Sequence, residues 1–371
     1  MPADSTDAAP PPRFSVEAGD QLLRWYATER RDLPWRRTAD PYSILVSELM
    51  LQQTRVEVVT PRYQRFLERF PTVAALAEAE VDEVLAEWSG LGYYRRARNL
   101  HAAAVAVQDM GEFPRSYAGL RELPGVGDYT AAAVAGIAFG APHVGIDGNV
   151  IRVLCRYFAI ADDPTRAATR RVLRAAAESL LNGQPPGDVT QALMELGARM
   201  CTPRSPTCGE CAIRSGCAAR ADGSQALLPV RKQTKVHEAI EAAAVIEHDG
   251  SYLLTRGQRV GVLTEMWEFP TIDSRTAEPI VEETPPAVRE ERLRAYAHRL
   301  GVEPSPLRAA GTIRHGITNR RITCEIYAGN GTPTRAAHSD APETGWFTPT
   351  EAAQIPLAAS ARRTFELLTV D

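Results

Sequence analysis

Four of the six cysteines crowd between Cys201 and Cys217, and they constrain the fold of this chain more than any other feature. Their spacing is Cys201-x6-Cys208-x2-Cys211-x5-Cys217. Six cysteines in 371 residues are too few for a disulfide scaffold, whereas four thiolates in one short loop can wrap a single metal centre. Zinc ribbons usually present two C-x2-C knuckles and this loop has one, so spacing alone leaves iron–sulfur and zinc open. Cys155 and Cys324 stand apart, and we expect ordinary buried cysteines there.

Before this loop, from Val16 to Met200, the sequence has the apolar periodicity of helices. The clearest runs are residues 21–30, 41–50, 81–88, 95–108 and 169–181. Breakers punctuate the runs at short intervals, at Pro61, Pro71, Gly90, Gly92, Pro114, Pro124 and Gly125. This pattern predicts an all-α domain of many short helices.

After the loop the pattern changes. Residues 241–256 and 311–328 each indicate two paired strands, the first pair joined at Asp249-Gly250. Residues 286–301 and 362–368 indicate helices, so this part is α+β and smaller. We therefore predict a multidomain chain. Its parts are a disordered tail at 1–14, an all-α domain at 15–200, the cysteine loop at 201–220, a linker at 221–236 and an α+β domain at 237–371.

The charge of the chain and its lack of targeting signals exclude several classes of function. The net charge of -4 gives no bulk reason for a polyanionic partner, so any such binding must be local. Lys232 and Lys235 are the only lysines, which excludes a lysine Schiff-base nucleophile anywhere in residues 1–231. The start of the chain lacks the pattern of a signal peptide, and its apolar stretches are too short to span a bilayer. We expect a cytoplasmic protein with no membrane partner.

The segment Leu123–Thr130 reads LPGVGDYT and carries two glycines two positions apart, Gly125 and Gly127. Such a turn can aim backbone N–H groups outward at the start of the next helix, a geometry that binds phosphate. Taken alone, a G-x-G is most often only a tight turn. Helical sequence on both sides favours a helix–hairpin–helix, which clamps a DNA backbone.

Two acidic residues stand in apolar surroundings, Glu48 in SELMLQQT and Asp147 before Gly148-Asn149. Each has a plain explanation: Asp147 could be a helix N-cap, and Glu48 could be exposed or capped with Ser47. Together they suggest cleavage of a glycosidic bond, which needs one carboxyl to protonate the leaving group and one carboxylate to stabilise an oxocarbenium-like state. Burial would raise the pKa of the first.

Five motifs occur along the chain in this order: SELMLQQT, GLGYY, LPGVGDYTA, Asp147-Gly148-Asn149 and the cysteine loop. Together they resemble the helix–hairpin–helix DNA glycosylases, and within them the MutY family of adenine DNA glycosylases. The resemblance runs from about Trp25 to Cys217. It implies a [4Fe–4S] cluster with Cys201, Cys208, Cys211 and Cys217 as ligands.

The resemblance also implies catalytic roles for four residues. Glu48 would be the general acid that protonates the flipped adenine on a ring nitrogen, and Asp147 would stabilise the oxocarbenium ion. Tyr129 and Asn149 would support that pair by hydrogen bonding and by ordering the water.

Further residues would bind the substrate. Gln53 and Tyr93 would wedge into the duplex, because a base taken out of the stack leaves a gap. Arg36 and Gln191 would line the adenine pocket. For Tyr93, packing as a half-buried aromatic beside Tyr94 remains the alternative.

The nearest competing enzyme is of the endonuclease III type, a glycosylase and lyase with a nucleophilic lysine where this chain has Tyr129. Because residues 1–231 have no lysine, that chemistry is excluded. We therefore expect a monofunctional glycosylase with no lysine-dependent strand cleavage.

From about His237 the chain resembles the Nudix-like domain with which adenine glycosylases read 8-oxoguanine. The likeness rests on MWEFP at 266–270 and on the strands around His315. A Nudix hydrolase would have glutamates just before Gly301, where this chain has Ala295, His298 and Arg299, so we expect recognition and not hydrolysis. The family's Phe-Ser-His triplet is Ile317-Thr318-Asn319 here. Thr318 and Asn319 keep hydrogen-bonding groups, and a plain hairpin turn is the alternative.

The expected fold is thus an all-α helix–hairpin–helix glycosylase domain with a [4Fe–4S] loop and a smaller α+β Nudix-like domain. The expected function is base-excision repair, with removal of adenine opposite 8-oxoguanine or guanine. We expect a monomer whose partner is double-stranded DNA, in the nucleoid of a bacterium. Arginines could hold phosphates near the cysteine loop, at Arg199, Arg204, Arg214 and Arg220. The non-enzymatic alternative is an iron–sulfur DNA-binding module that has lost catalysis. The presence of both Glu48 and Asp147 argues against it.

Overall fold

The structure is a computed structural model that describes residues 11–230, 236–258, 264, 266–272, 280–317, 319–334, 338 and 341–368. These residues form two compact units. The first holds the described residues of 11–79 and 95–230, and the second holds those of 80–94 and 236–368. No helix in the described part of the chain is long and apolar enough to cross a membrane.

Helices make up the chain as far as the cysteine loop, as the periodicity predicts. They are α1 (Val16–Glu29), α2 (Pro41–Leu51), α3 (Val56–Arg69), α4 (Val73–Ala77), α5 (Val81–Glu87), α6 (Arg95–Met110), α7 (Tyr117–Glu122), α8 (Asp128–Phe139), α9 (Gly148–Tyr157), α10 (Ala167–Glu178), α11 (Pro186–Arg199) and α12 (Ala218–Asp222). Short 3-10 helices lie at Pro34–Arg36, Ser179–Leu181 and Arg214–Gly216. All belong to the first unit except α5, which belongs to the second.

One predicted helix breaker is wrong: Pro61 lies inside α3. Proline removes one backbone hydrogen bond from a helix. Val59, Tyr63 and Phe66 lie on one face of α3 and are all buried, and this packing outweighs the lost bond.

Two helices of the first unit each contain a stretch that is buried on every side. Every residue of α2 from Ile44 to Met50 is buried, and so is every residue of α8 from Thr130 to Gly136. The buried stretch of α8 is mostly alanine, and α2 packs against it. The polar side chains of this stretch of α2, Ser47 and Glu48, are therefore almost completely shielded from solvent.

The second unit is a mixed sheet with helices, which confirms the α+β prediction. Its elements from the linker onward are β1 (His237–His248), β2 (Ser251–Arg256), β3 (Trp267–Glu268), β4 (Thr271–Ile272), α13 (Pro286–Arg299), β5 (Val302–Pro304), β6 (Arg308–Ile317), β7 (Arg320–Pro333), β8 (Glu343–Phe347), α14 (Pro349–Ala352) and α15 (Ala359–Leu368).

The sheet is organised around β1. This strand pairs in parallel with β7, from His237 opposite Arg320 to Glu247 opposite Asn330, and antiparallel with β2. The predicted turn at Asp249-Gly250 joins β1 to β2, and both residues have positive φ (48° and 76°), which suits a two-residue hairpin. β6 pairs antiparallel with β7, and β8 with β2. Leu293 and Ala297 of α13 lie in the same hydrophobic core as Ala244 and Ile246 of β1.

Candidate active site

The first unit has a cleft of about 850 Å³ that brings together seven of the residues singled out in the sequence. They are Arg36, Glu48, Gln53, Tyr129, Asp147, Asn149 and Gln191. These residues come from α2, α8, α9, α11 and the segments before α2 and after it, so the fold assembles them from distant parts of the sequence.

Glu48 lies on α2 and is 5% exposed, so it is neither a surface residue nor a cap. The hydroxyl of Tyr129 donates a hydrogen bond to its carboxylate. Burial raises the pKa of Glu48 to about 7, and the charge of Asp147 adds to this shift while the Tyr129 hydrogen bond and Arg36 oppose it. A carboxyl with this pKa can hold a proton at neutral pH and give it up, as a general acid must.

Asp147 is both a helix cap and a member of the cleft. Its carboxylate accepts hydrogen bonds from the Val150 backbone N–H at 2.7 Å and from Asn149 Nδ2 at 2.8 Å. Burial raises the pKa of Asp147, and these hydrogen bonds oppose the rise because they favour the ionised form. The capping interaction therefore orients a carboxylate that also faces the cleft.

Arg152 is a buried arginine of α9 that the sequence interpretation missed. Its Nη2 donates to Asn149 Oδ1 at 2.7 Å and to the Gly197 carbonyl at 2.8 Å. Its Nε donates to the Cys201 carbonyl at 2.7 Å. It therefore links the start of α9 to the end of α11 and to the cysteine loop.

Glu195 of α11 is a second missed residue, and it lines the same cleft. It is fully buried and forms ion pairs with Arg31 and Arg36, at 2.9 and 2.7 Å. Gln191 lies one helical turn earlier and accepts a hydrogen bond from the Tyr26 hydroxyl at 3.2 Å. The only sequence signal was the spacing of Gln191 and Glu195 on one face of a helix.

Gln53 is exposed and has a positive φ of 56°, just past the end of α2. The turn is held by Arg96 of α6, which is 7% exposed and donates to the carbonyls of Leu49 and Met50 at 2.8 Å each. Arg96 also donates to the Gln52 carbonyl. A buried arginine therefore fixes the backbone that presents Gln53.

Tyr93 belongs to the second unit, in the segment after α5. It is 49% exposed and has a φ of 49°, whereas its neighbour Tyr94 is buried and donates to the Leu357 carbonyl at 3.4 Å. Of the two tyrosines, Tyr93 is thus the one whose ring can meet a ligand.

The predicted hairpin joins α7 to α8. Gly125 has a φ of 71°, and a Cβ there would lie 2.3 Å from the Asn99 Cβ, so a side chain does not fit. Gly127 caps α8, and a Cβ there would meet nothing within 4 Å. Asp128 pairs with Arg121 at 2.9 Å and with Arg174 at 3.5 Å, which fixes the first turn of α8. This geometry leaves the Gly127 backbone open at a helix N-terminus, where anions bind.

The four clustered cysteines line one small cavity between α9 and the cysteine loop, together with Arg156. Arg156 Nη1 lies 3.4 Å from the Cys201 sulfur and donates to the Thr202 carbonyl at 2.7 Å. In the described part of the chain, no group of three or more Cys, His, Asp or Glu side chains is placed to hold a single metal ion. Cys155 and Cys324 are buried, as predicted.

In the second unit, Asn319 follows β6 at an exposed position, and its carbonyl accepts a hydrogen bond from the His237 N–H at 2.9 Å. Thr318 lies outside the described residues. His298 is at the end of α13 and pairs with Glu303 at 3.2 Å.

Comparison with known proteins gives two family matches. Residues 46–178 match the HhH-GPD superfamily of base excision DNA repair proteins, and residues 241–367 match the NUDIX domain. The chain is 33% identical to an adenine DNA glycosylase of Rattus norvegicus, over 93% of this chain and 77% of that one. It is 36% identical to an adenine DNA glycosylase of Homo sapiens, over 82% of this chain and 65% of that one. Among solved structures, a thermostable thymine-DNA glycosylase matches with a TM-score of 0.51 and 32% identity, over 55% of this chain and 95% of that one.

Proposed function

Because the chain belongs to the adenine DNA glycosylase family of base-excision repair enzymes, we propose that it removes adenine mispaired with 8-oxoguanine or guanine from duplex DNA. The observation that carries the proposal is a pair of carboxyls that line one cleft, the buried Glu48 and the half-buried Asp147. Burial raises the pKa of both carboxyls, to about 7 for Glu48, while two N–H donors to Asp147 favour its ionised form. Cleavage of a glycosidic bond uses one protonated carboxyl and one carboxylate.

Glu48 is the proposed general acid. Its burial favours the protonated form, and the Tyr129 hydroxyl orients its carboxyl. A proton given to a ring nitrogen of the extruded adenine makes the base a better leaving group, and the sugar then acquires positive charge.

Asp147 is the proposed stabiliser of that positive charge. Two N–H donors hold its carboxylate and favour its ionised form. Asn149 donates one of them, which supports a role in ordering both the carboxylate and the attacking water. Electrostatic stabilisation of this kind is strongest in a cleft from which water is excluded.

The proposed enzyme is monofunctional. A glycosylase that also cleaves the strand through a Schiff base needs an amine nucleophile, and residues 1–231 contain no lysine. The hydroxyl of Tyr129 stands at the corresponding place and hydrogen bonds to the acid.

Substrate binding is proposed for the remaining residues. Arg36 and Gln191 line the cleft that would hold the adenine. The exposed, positive-φ residues Gln53 and Tyr93 are the proposed wedges, since an extruded base leaves a gap in the stack. Backbone N–H groups at Gly125 and Gly127 would bind a phosphate.

A [4Fe–4S] cluster is the proposed cofactor, held by Cys201, Cys208, Cys211 and Cys217. All four line one cavity, and thiolates of this number suit an iron–sulfur cluster. When bound, the cluster would cross-link the loop in the way that a structural metal does. Arg156, beside the Cys201 sulfur, would offset part of the negative charge of the thiolates.

The Nudix-like domain is proposed to read 8-oxoguanine opposite the adenine, through Thr318 and Asn319. The exposed position of Asn319 supports this assignment. We propose that the protein acts as a monomer on double-stranded DNA in a bacterial cytoplasm.

The test is a single-turnover assay on duplexes with adenine opposite 8-oxoguanine, guanine, cytosine or thymine, with and without alkali before the gel. We expect breaks only after alkali, fastest opposite 8-oxoguanine. The matched control is Glu48→Gln, which should bind the duplex and leave the adenine in place. Breaks without alkali, or excision by Glu48→Gln at the wild-type rate, would contradict the proposal.

A further inference from the structure

Glu195 has a buried negative charge that none of the proposed catalytic roles uses. Arg31 donates to its carboxylate from Nε and Nη2, at 2.9 Å each, and from its backbone N–H at 3.1 Å. Arg36 Nη2 donates at 2.7 Å. A carboxylate has about four lone-pair sites, so these four donors occupy them. Glu195 therefore lines the cleft without an acceptor available for a base.

The charge state of Glu195 is the opposite of that of Glu48. Burial alone would raise the pKa of Glu195, but hydrogen bonds and charge from Arg31 and Arg36 outweigh burial and lower this pKa to about 2. Glu195 is thus a permanent anion in the pH range in which Glu48 titrates.

The two arginines lie in the wall of the cleft that contains Glu48. The Arg36 side chain is 9% exposed, and its Nη1 also donates to the Arg31 carbonyl at 3.1 Å, so it is held at two points. Two cations and one anion leave a net charge of about +1 in this wall, and charges on buried side chains are screened less than charges in bulk water.

Groups from several elements face Glu48. Tyr129 comes from α8, Asp147 from the start of α9, and Arg36 from the 3-10 helix before α2. Arg152 and Arg170 also line the cleft. The charge of Asp147 favours the protonated acid, and that of Arg36 favours the carboxylate. The proton on Glu48 therefore depends on how much of the arginine charge is neutralised.

We propose that Glu195 is a positioning residue for the general acid: it holds Arg31 and Arg36 in the wall of the base pocket and neutralises part of their charge, so that Glu48 keeps its proton at neutral pH. The inference rests on the proposed function, in which Glu48 is the acid and Arg36 lines the adenine pocket.

The test is the pH dependence of single-turnover adenine excision, measured from about pH 5 to pH 9 on an adenine:8-oxoguanine duplex. Glu195→Gln keeps the size of the side chain and removes its charge. The positive charge of the arginines, no longer offset by Glu195, then stabilises the Glu48 carboxylate. The fall in excision rate at alkaline pH, called the alkaline fall below, should therefore move to lower pH by about one unit. Arg36→Gln should move it in the opposite direction, to higher pH.

These opposite shifts separate the proposal from a merely structural role. A structural role would lower the rate of both variants equally at all pH values, and such a result would overturn the inference. If Glu195→Gln fails to fold, Arg36→Gln still tests the charge argument, because removal of the Arg36 charge must move the alkaline fall to higher pH. A wild-type protein that does not excise adenine would contradict the proposed function, whereas an active wild type with unshifted variants would contradict only this inference.

Discussion

Arg152 Nη2 donates a hydrogen bond to Asn149 Oδ1 at 2.7 Å, and this bond fixes which end of the Asn149 amide faces Asp147. With its oxygen engaged by Arg152, Asn149 turns its NH2 group toward the Asp147 carboxylate. The guanidinium also donates to the Cys201 and Gly197 carbonyls. A single side chain therefore connects the Asp147 carboxylate, through Asn149, to the backbone of the first clustered cysteine.

This connection predicts that Arg152→Gln slows adenine excision by about 10- to 100-fold, since a small misplacement of a reacting group has that effect. Single-turnover rates on an adenine:8-oxoguanine duplex measure it. The control is Arg321→Gln, because Arg321 is 68% exposed and its pair with Glu238 contributes little. Wild-type excision by Arg152→Gln would show that the connection is not needed.

Replacing Arg96 should destabilise the end of α2. Arg96→Met keeps the aliphatic stem but leaves the Leu49, Met50 and Gln52 carbonyls without their shared donor, which costs about 2 to 4 kcal/mol. Thermal unfolding should show an early transition that wild type lacks. Arg95→Met, at the exposed neighbouring position on α6, is the matched control and should melt like wild type. Equal melting of the two variants would contradict the capping role.

Glu48 should reduce the stability of the folded protein as the pH rises. Its pKa is raised from 4.5 to about 7 by burial, so between these values only the unfolded chain ionises. Stability therefore falls with rising pH over this interval and levels off above pH 7, after a loss of about 3 kcal/mol.

Glu48→Gln removes this loss, so it should melt several degrees above wild type at pH 8 and much closer to it at pH 5. Melting curves of both proteins at the two pH values measure the difference. Glu17→Gln, at an exposed position on α1, controls for a general effect of charge. The same gap at both pH values would mean that the Glu48 carboxyl does not titrate near neutrality.

The two hairpin glycines should respond differently to alanine. Gly125→Ala forces a side chain against Asn99 at a positive φ, which costs about 1 to 3 kcal/mol. Gly127→Ala has a permitted φ of -85° and open space, so it should fold as well as wild type. Its methyl group would nevertheless stand at the proposed phosphate site and weaken DNA binding. Melting curves and fluorescence anisotropy with labelled duplex separate the effects, and unaltered binding by Gly127→Ala would contradict the phosphate site.

The sequence predicted those parts of the molecule that depend on local pattern. Helices followed the apolar period, and the turn at Asp249-Gly250 followed from the residue types that favour positive φ. The exception was Pro61, because local propensity cannot register the packing of Val59, Tyr63 and Phe66.

The sequence did not reveal Glu195, Arg152 and Arg96 for a different reason, which is that their contacts are distant in the chain. Glu195 meets Arg31 across 164 positions, and Arg152 meets Cys201 across 49. An arginine in a helical pattern is usually a solvated surface residue, so nothing local marks Arg96 or Arg152 as buried. Glu48 and Asp147 were found only because two isolated acids in apolar segments suggested a shared chemistry.

The parallel pairing of β1 with β7 bears on how the chain folds during synthesis. The register joins residues 83 positions apart, such as Glu238 and Arg321, so β1 leaves the ribosome long before its partner exists. Until β7 is made, β1 can pair with β2 on one side only. The backbone N–H and C=O groups on its other side, which β7 pairs with in the folded protein, can then pair with a strand of another chain. A stop codon ahead of β7 would thus remove the partner of the first strand as well as the end of the protein, and we expect such truncated chains to aggregate.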